Sequence, residues 1–128
     1  METENILSYK IRGAIYKLYN DLGPGLLEGV YESGLKILLE EKGLKVRRQV
    51  PIPIVYRGIR FVEAYRLDLL VEESVIIEIK SIKELAEVHH KQTITYLKLA
   101  ELKLAILVNF NTNDISGSIF RKINTKTS

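Results

Sequence analysis

The stretch Tyr65–Lys80, YRLDLLVEESVIIEIK, constrains this chain more than any other. It reads as two apolar strands joined by a short Glu72-Glu73-Ser74 turn. Side chains two apart on a strand share a face. Glu78 and Lys80 therefore project together, while Val75, Ile77 and Ile79 project the other way. On the first strand Asp68 shares its face with Arg66 and Leu70, and Leu67, Leu69 and Val71 take the opposite one. Paired through the turn, the two strands bring Asp68, Glu78 and Lys80 onto one patch. Three charges in so apolar a segment are costly to bury unless they pair, bind a metal or meet a ligand, which makes the patch a candidate site.

The 128 residues suit a single domain, 1–128, with one core. Hydrophobic residues at 46% and charged residues at 27% exclude a disordered chain. With no cysteine, structural disulfides and thiolate-bound zinc are excluded. Lys or Glu interrupts every apolar run and no charged-then-apolar leader is present, so no membrane association and a cytoplasmic location are expected. A net charge of +3 is compatible with a polyanionic partner without demonstrating one.

Along the chain, Leu7, Ile11, Ala14, Ile15, Leu18, Tyr19 and Leu22 recur at helical spacing and predict a helix over Ile6–Leu22, ended by Gly23-Pro24-Gly25. A second helix is expected over Glu28–Lys42, with Leu27, Tyr31, Leu35, Leu38 and Leu39 as its apolar face and Gly43 as its stop. Glu28 falls on or beside that face; it reads either as a first-turn acid complementing the helix dipole or as an acid leaning toward a site. Leu44–Tyr56 alternates as a strand does, through Leu44, Val46, Arg48, Val50, Ile52, Ile54 and Tyr56. Pro51 and Pro53 remove two amide donors from one side, which puts this strand at a sheet edge or breaks it there. Arg57-Gly58 is a hairpin turn into Ile59–Glu72.

After Lys80, helical periodicity returns over Leu85–Glu101 through Leu85, Val88, Gln92, Tyr96 and Leu99. Gln92 and Tyr96, one turn apart, set two polar tips along an apolar stripe; a core tyrosine and a boundary glutamine are the plainer account of them. Lys103–Phe110 is a continuous apolar run, as expected of a strand buried on both faces beside a parallel partner. Gly117–Ile123 alternates weakly and adds a last strand, and Asn124–Ser128 is expected to fray. The sum is an α/β fold: helix, helix, a three-strand meander, helix, strand and a final strand, with helices on the faces of a mixed sheet.

Two carboxylates and a lysine on adjacent strands suit metal-dependent hydrolysis of a phosphodiester. Carboxylates hold a hard divalent cation through oxygen and leave room for waters and phosphate oxygens. A nearby ammonium orients the nucleophile, and Glu28 offers a further oxygen from its helix. Surface strands carrying alternating acids and bases give the same pattern with no site at all.

The pattern resembles the PD-(D/E)XK nuclease superfamily and, within it, the GxxExxY proteins. Gly25-Leu26-Leu27-Glu28-Gly29-Val30-Tyr31 carries that signature, followed by Asp68, by Glu78-Ile79-Lys80, by Gln92-Thr93-Ile94-Thr95-Tyr96 as the Q-x-x-x-Y element of RecB-like nucleases, and by Leu107-Val108-Asn109-Phe110-Asn111. Leu67 stands where the superfamily's name motif has proline. The resemblance implies a restriction-endonuclease-like αβββαβ core preceded by an extra N-terminal helix. It implies Glu28, Asp68 and Glu78 as metal ligands, with the Ile79 carbonyl as a further one and Mg2+ or Mn2+ as the ion. It implies Lys80 as the residue that positions the attacking water, and Gln92 and Tyr96 as its support or as contacts to the scissile phosphate.

Three functions compete. The first is a divalent-metal-dependent nuclease acting on DNA in preference to RNA. The second is a catalytically silent nucleic-acid-binding or assembly module of the same fold, from which degenerate copies usually drop one of Glu28, Asp68, Glu78 and Lys80; all are present. The third is an unrelated α/β protein whose strand charges are a structural ion network. Arg66 reads as a phosphate contact or an acid's partner, and His89 and His90 as solvated helix histidines. The small core also raises the expectation of a homodimer or a partner protein completing the substrate surface.

Overall fold

The computed structural model of the protein describes residues 1–125. Its elements are α1 Glu2–Leu22, α2 Glu28–Glu41, β1 Val46–Tyr56, β2 Ile59–Val71, β3 Val75–Lys80, α3 Glu87–Leu99, β4 Leu104–Asn109, a 3-10 turn Ile115–Ser118 and β5 Ile119–Ile123. The strands lie in sequence order in one sheet, antiparallel throughout except for the β3–β4 pair. This is the expected αβββαβ arrangement behind an extra N-terminal helix, with the proline-bearing β1 at the edge. Among the described residues, no helix is long and apolar enough to cross a membrane.

The larger core lies under α1 and α2, where Ile11, Ile15, Leu18, Tyr31, Leu35 and Leu39 pack on Leu69, Val75, Ile77, Ile106 and Val108. Each such side chain contributes about 1.5–3 kcal/mol over its exposed state. Gly34 sets how closely the two helices approach: a Cβ there would meet Leu18 Cδ1 at 2.6 Å. The other face is covered by α3, through Tyr96 and Leu97 on Ile52, Leu67, Leu70, Ile76 and Ala105. Covered on both faces, β4 is buried along its whole length.

Several boundaries and faces differ from expectation. The first helix starts at Glu2, because Glu2 and Glu4 in its first turn favour the positive end of the dipole. Leu27 is the extended residue preceding α2 and is 80% exposed, so it does not join the apolar face. The buried stripe of α3 is Thr93, Tyr96 and Leu97, while Val88 and Leu99 are exposed; adjacent stripes on this helix both carry apolar residues, and only docking on the sheet selects one. Asn124 does not fray: it is buried, its amide donates to the Lys103 carbonyl and its Nδ2 to that of Leu102. Residues 126–128 of that tail lie outside the described residues.

The largest departure is a reversal of faces. Alternation gives Val46, Arg48, Val50 and Ile52 one common face. Instead Val46 packs under α1 and α2 and Arg48 reaches Glu32 on α2, whereas Val50 and Ile52 pack under α3. Between them Gln49 has φ 50, a left-handed conformation that inverts the pleat and is uncommon outside glycine. The register pairs Arg48 with Leu69 and Val50 with Leu67, which sets Gln49 opposite Asp68. There β2 reverses as well: Leu69 and Val71 face α1 and α2, but Leu67 joins Leu70 under α3, against the expectation that Leu67, Leu69 and Val71 share a face.

Candidate active site

The backbone pairing of β2 with β3 runs over Leu69–Ile77, Leu70–Ile76 and Val71–Val75, and stops where Asp68 and Glu78 would be next. In its place the Asp68 amide donates to Glu78 Oε2 at 2.9 Å, and the Ile79 amide donates to Asp68 Oδ2 at 2.8 Å. Each carboxylate accepts from the opposite strand, so two amides that the parting strands would orphan are satisfied. One oxygen of each acid is thereby fixed. Among the described residues, Asp68 Oδ1 and Glu78 Oε1 have no protein partner, yet no buried side-chain oxygen lacks one. These two oxygens therefore open to solvent.

Burial pushes Asp68 up to about 6, against the Ile79 amide, which favours its ionised form; Glu32 and Glu28 raise it further and Lys80 lowers it. Burial, and then the charge of Asp68, push Glu78 up to about 8, against the Asp68 amide and Lys80. Two carboxylates side by side share one environment, and their protons come off as a pair. Without a cation this pair resists full ionisation near neutral pH.

Lys80 is the last residue of β3 and pairs in register with Asn109 on β4. Its charge acts on both acids, and it makes no ion pair among the described residues. Buried Asn109 fixes the chain beyond it: Oδ1 accepts from the Ile82 and Asn111 amides, and Nδ2 donates to the Ile82 carbonyl. Across the gap, Tyr96 is 6% exposed. Burial and the charge of Glu78 push its hydroxyl up to about 12, with Gln92 hydrogen-bonded beside it. Tyr96 thus keeps its proton as a donor.

Glu28 is exposed at the start of α2. Its Oε2 accepts the amide of Ser81, immediately after Lys80, at 3.2 Å. The turn before it is pinned by Tyr31, whose hydroxyl donates to the Gly23 carbonyl and accepts the Leu26 amide; Gly25, at φ 93, supplies the bend. The charge of Glu28 bears on Asp68, but among the described residues no three acidic or histidine side chains gather closely enough to hold a metal ion. The structure brings together Asp68, Glu78, Lys80, Gln92 and Tyr96, and holds Glu28 at the margin.

Sequence reasoning missed Glu32. It lies one turn beyond Glu28, is 6% exposed, and accepts Arg48 Nε and Nη2 at 2.9 and 2.7 Å on Oε2 and Gln49 Nε2 at 2.7 Å on Oε1. It thereby anchors the residue at which β1 reverses, and its charge raises both site carboxylates. A second acid four residues after the first was the signal available; nothing in the sequence marked Gln49. Arg66 pairs with no acid among the described residues and donates to the Gln49 carbonyl at 3.4 Å. The histidines are more engaged than solvated side chains: His89 Nδ1 accepts the Ala86 amide at 2.9 Å, and His90 meets the Phe120 ring edge-on at 4.8 Å.

Neither the curated proteins nor the solved structures give a significant match to the chain. A family model for the PD-(D/E)XK nuclease superfamily matches residues 5–122, a span that holds every site residue described above. With that match over most of its length, the chain belongs to the PD-(D/E)XK nuclease superfamily.

Proposed function

We propose that this protein hydrolyses phosphodiester bonds of nucleic acid, DNA in preference to RNA, with Mg2+ or Mn2+ held by Asp68 and Glu78. The observation that carries this reading is their exchange of strand amides. It sets two carboxylates side by side, each with one oxygen fixed and one open, where burial makes both negative charges unfavourable. A hard cation removes that penalty. Mg2+ characteristically binds through one or two carboxylates, with waters and phosphate oxygens completing its shell, so a donor set of two side chains fits it. The Ile79 carbonyl and Glu28 are the additional ligands in this reading.

When bound, the cation lowers the pKa of a water and offsets charge on the leaving oxygen. Lys80, which makes no ion pair among the described residues, orients the attacking water and complements the phosphoryl oxygens. Tyr96 keeps its proton, and with Gln92 it donates hydrogen bonds toward the phosphate or steadies Lys80. Within the superfamily we assign the chain to the GxxExxY proteins with a RecB-like Q-x-x-x-Y pair. In support, Tyr31 holds the turn that presents Glu28, a reason for the spacing of that signature.

The test is cleavage of labelled single-stranded and double-stranded DNA with Mg2+ or Mn2+ by the native protein, Asp68→Ala and Lys80→Ala. Cleavage by the native protein alone, with cooperative melting in all three, is the expected result. No cleavage, together with no rise in melting temperature on adding the cation, overturns the reading and leaves the silent module.

A further inference from the structure

Beyond the level of Gln49 and Asp68, the β1–β2 hairpin leaves the body of the sheet. β3 pairs only with Leu69–Val71, so Val50–Tyr56 and Ile59–Leu67 have each other as their only sheet neighbours among the described residues. The tip is tight, with positive φ at Arg57 and Gly58, as a two-residue hairpin turn requires. Directly opposed residues share a face, and the register opposes Ile52 to Tyr65, Ile54 to Phe61, and Tyr56 to Ile59. These six line the ribbon, with a register shift between the Ile52 and Ile54 rungs. At its base Ile52 is buried, and the Tyr65 ring lies 5.4 Å from that of the site residue Tyr96. Outward, cover is lost: Phe61 is 45% exposed, and Tyr56 and Ile59 are each 62% exposed.

Two-stranded ribbons are marginal on their own, and an apolar stripe left uncovered on one marks an interaction surface. Strand addition by a second copy along β1 is disfavoured, because Pro51 and Pro53 each lack an amide donor there. The charge points elsewhere. Arg47, Arg48, Arg57, Arg60 and Arg66 all lie on this hairpin, leaving Arg12 and Arg121 for the rest of the chain. Arg47 and Arg48 pair with Glu73 and Glu32; Arg57, at the tip, and Arg60 make no ion pair among the described residues. Arg60 and Arg66 stand opposite Val55 and Pro51, on the reverse of the aromatic stripe, so the arm presents cations around an apolar, aromatic face.

We infer that this arm binds a single-stranded segment of nucleic acid and leads it to the site, with bases on Tyr56, Phe61 and Tyr65 and phosphates drawn by Arg57 and Arg60. The inference rests on the nuclease reading and deepens it by naming the substrate class. Aromatic platforms within a cationic field are how proteins hold unpaired strands; here Arg57 adjoins the platform at the tip and Arg60 adds its charge from the reverse face. Along β1 the rungs at Ile52, Ile54 and Tyr56 are two strand residues, or about 7 Å, apart, and on β2 Tyr65 and Phe61 are four residues apart across a register shift. Bases in a duplex are stacked about 3.4 Å apart, so this step suits bases that are spread rather than stacked on one another.

The experiment is fluorescence anisotropy of a labelled oligo-dT and of a duplex of equal length, in EDTA, across a range of salt. The native protein is compared with Tyr56→Ala/Phe61→Ala, Arg57→Ala/Arg60→Ala and Asp68→Ala. Single-strand binding tighter than duplex binding is expected. The aromatic pair should weaken single-strand binding about tenfold or more with the salt slope kept, and the arginine pair should reduce that slope by up to about 1.4. Because these side chains are exposed, melting temperatures should stay within about 2 °C of native. Equal affinity for both ligands, native-like binding by the aromatic variant, or no binding by the native protein overturns the inference. So does a native dimer that the aromatic variant splits, which would assign the stripe to a second copy. EDTA separates the two readings: arm-dependent binding without cleavage in metal sinks the nuclease alone, and cleavage with arm-independent binding sinks the arm alone.

Discussion

The ring of Tyr31 lies flat on that of Phe110, with centroids 4.2 Å apart and planes 4° from parallel, and the Phe110 amide donates to the Lys80 carbonyl. The turn that presents Glu28 and the strand end that presents Lys80 therefore rest on one stacked pair. Tyr31→Phe keeps the stack and loses the hydroxyl's two hydrogen bonds; it should lower stability by about 1–2 kcal/mol. Tyr31→Ala removes the stack as well and should lower it by about 3–5 kcal/mol. Urea unfolding of both variants checks the gap between them, which closes if the hydroxyl rather than the ring is the anchor.

The raised site carboxylates fix how stability depends on pH in the absence of metal. Their ordinary values lie near 4, and the fold holds Asp68 up to about 6 and Glu78 up to about 8. Between those limits the native state binds more protons than the unfolded chain. Unfolding free energy should therefore be greatest near pH 4, as far as these two groups set it, and fall as pH rises toward 8. Glu78→Gln retains an oxygen acceptor for the Asp68 amide but carries no charge, so it should flatten that fall. Urea midpoints from pH 5 to 9 in EDTA test this, and a native profile that rises with pH across the window contradicts it.

Adding Mg2+ to the native protein should have the opposite pH trend. Cation binding requires the carboxylates to be ionised, so its stabilisation should grow from pH 5 to pH 8. The increment should vanish in Asp68→Asn and in Glu78→Gln. Melting temperatures with and without the ion at each pH provide the measurement.

Lys80→Met should separate chemistry from folding. Lys80 has no ion-pair partner among the described residues, so its loss should change stability by less than about 1 kcal/mol at pH 5. Cleavage should fall at least about 100-fold. Removing its charge also withdraws an influence that lowers both carboxylates, so the metal-free pH limb should extend to higher pH, as the native state holds its protons over a wider range. Single-turnover cleavage and the urea profile together check this.

Glu32 should behave as a support for the site. Glu32→Ala strands Arg48 and Gln49, but the Arg48 side chain is 41% exposed and can rehydrate, so a loss of about 1–3 kcal/mol is expected. Glu32→Gln keeps volume and some hydrogen bonding while removing a charge that raises Asp68 and Glu78. It should lower the pH at which Mg2+ begins to stabilise the protein. An unchanged onset would show that Glu32 acts on folding alone.

What the sequence by itself determined was whatever depends on short-range periodicity. The turns at Gly23-Pro24-Gly25, Arg57-Gly58 and Glu72-Glu73-Ser74, the buried β4 beside a parallel partner, and the edge position of the proline-bearing strand all follow from residues within a few positions of one another. So does the convergence of Asp68, Glu78 and Lys80, because a hairpin with a three-residue turn fixes which residues meet. Tertiary structure decided the rest. Gln49 turns over β1 because Glu32, 17 residues earlier, receives its side chain, and no local pattern encodes that distance. The α3 stripe was chosen by docking on the sheet. The exchange of amides between Asp68 and Glu78 arises because the strands part there, and parting is a property of the pair of strands, invisible in either one alone.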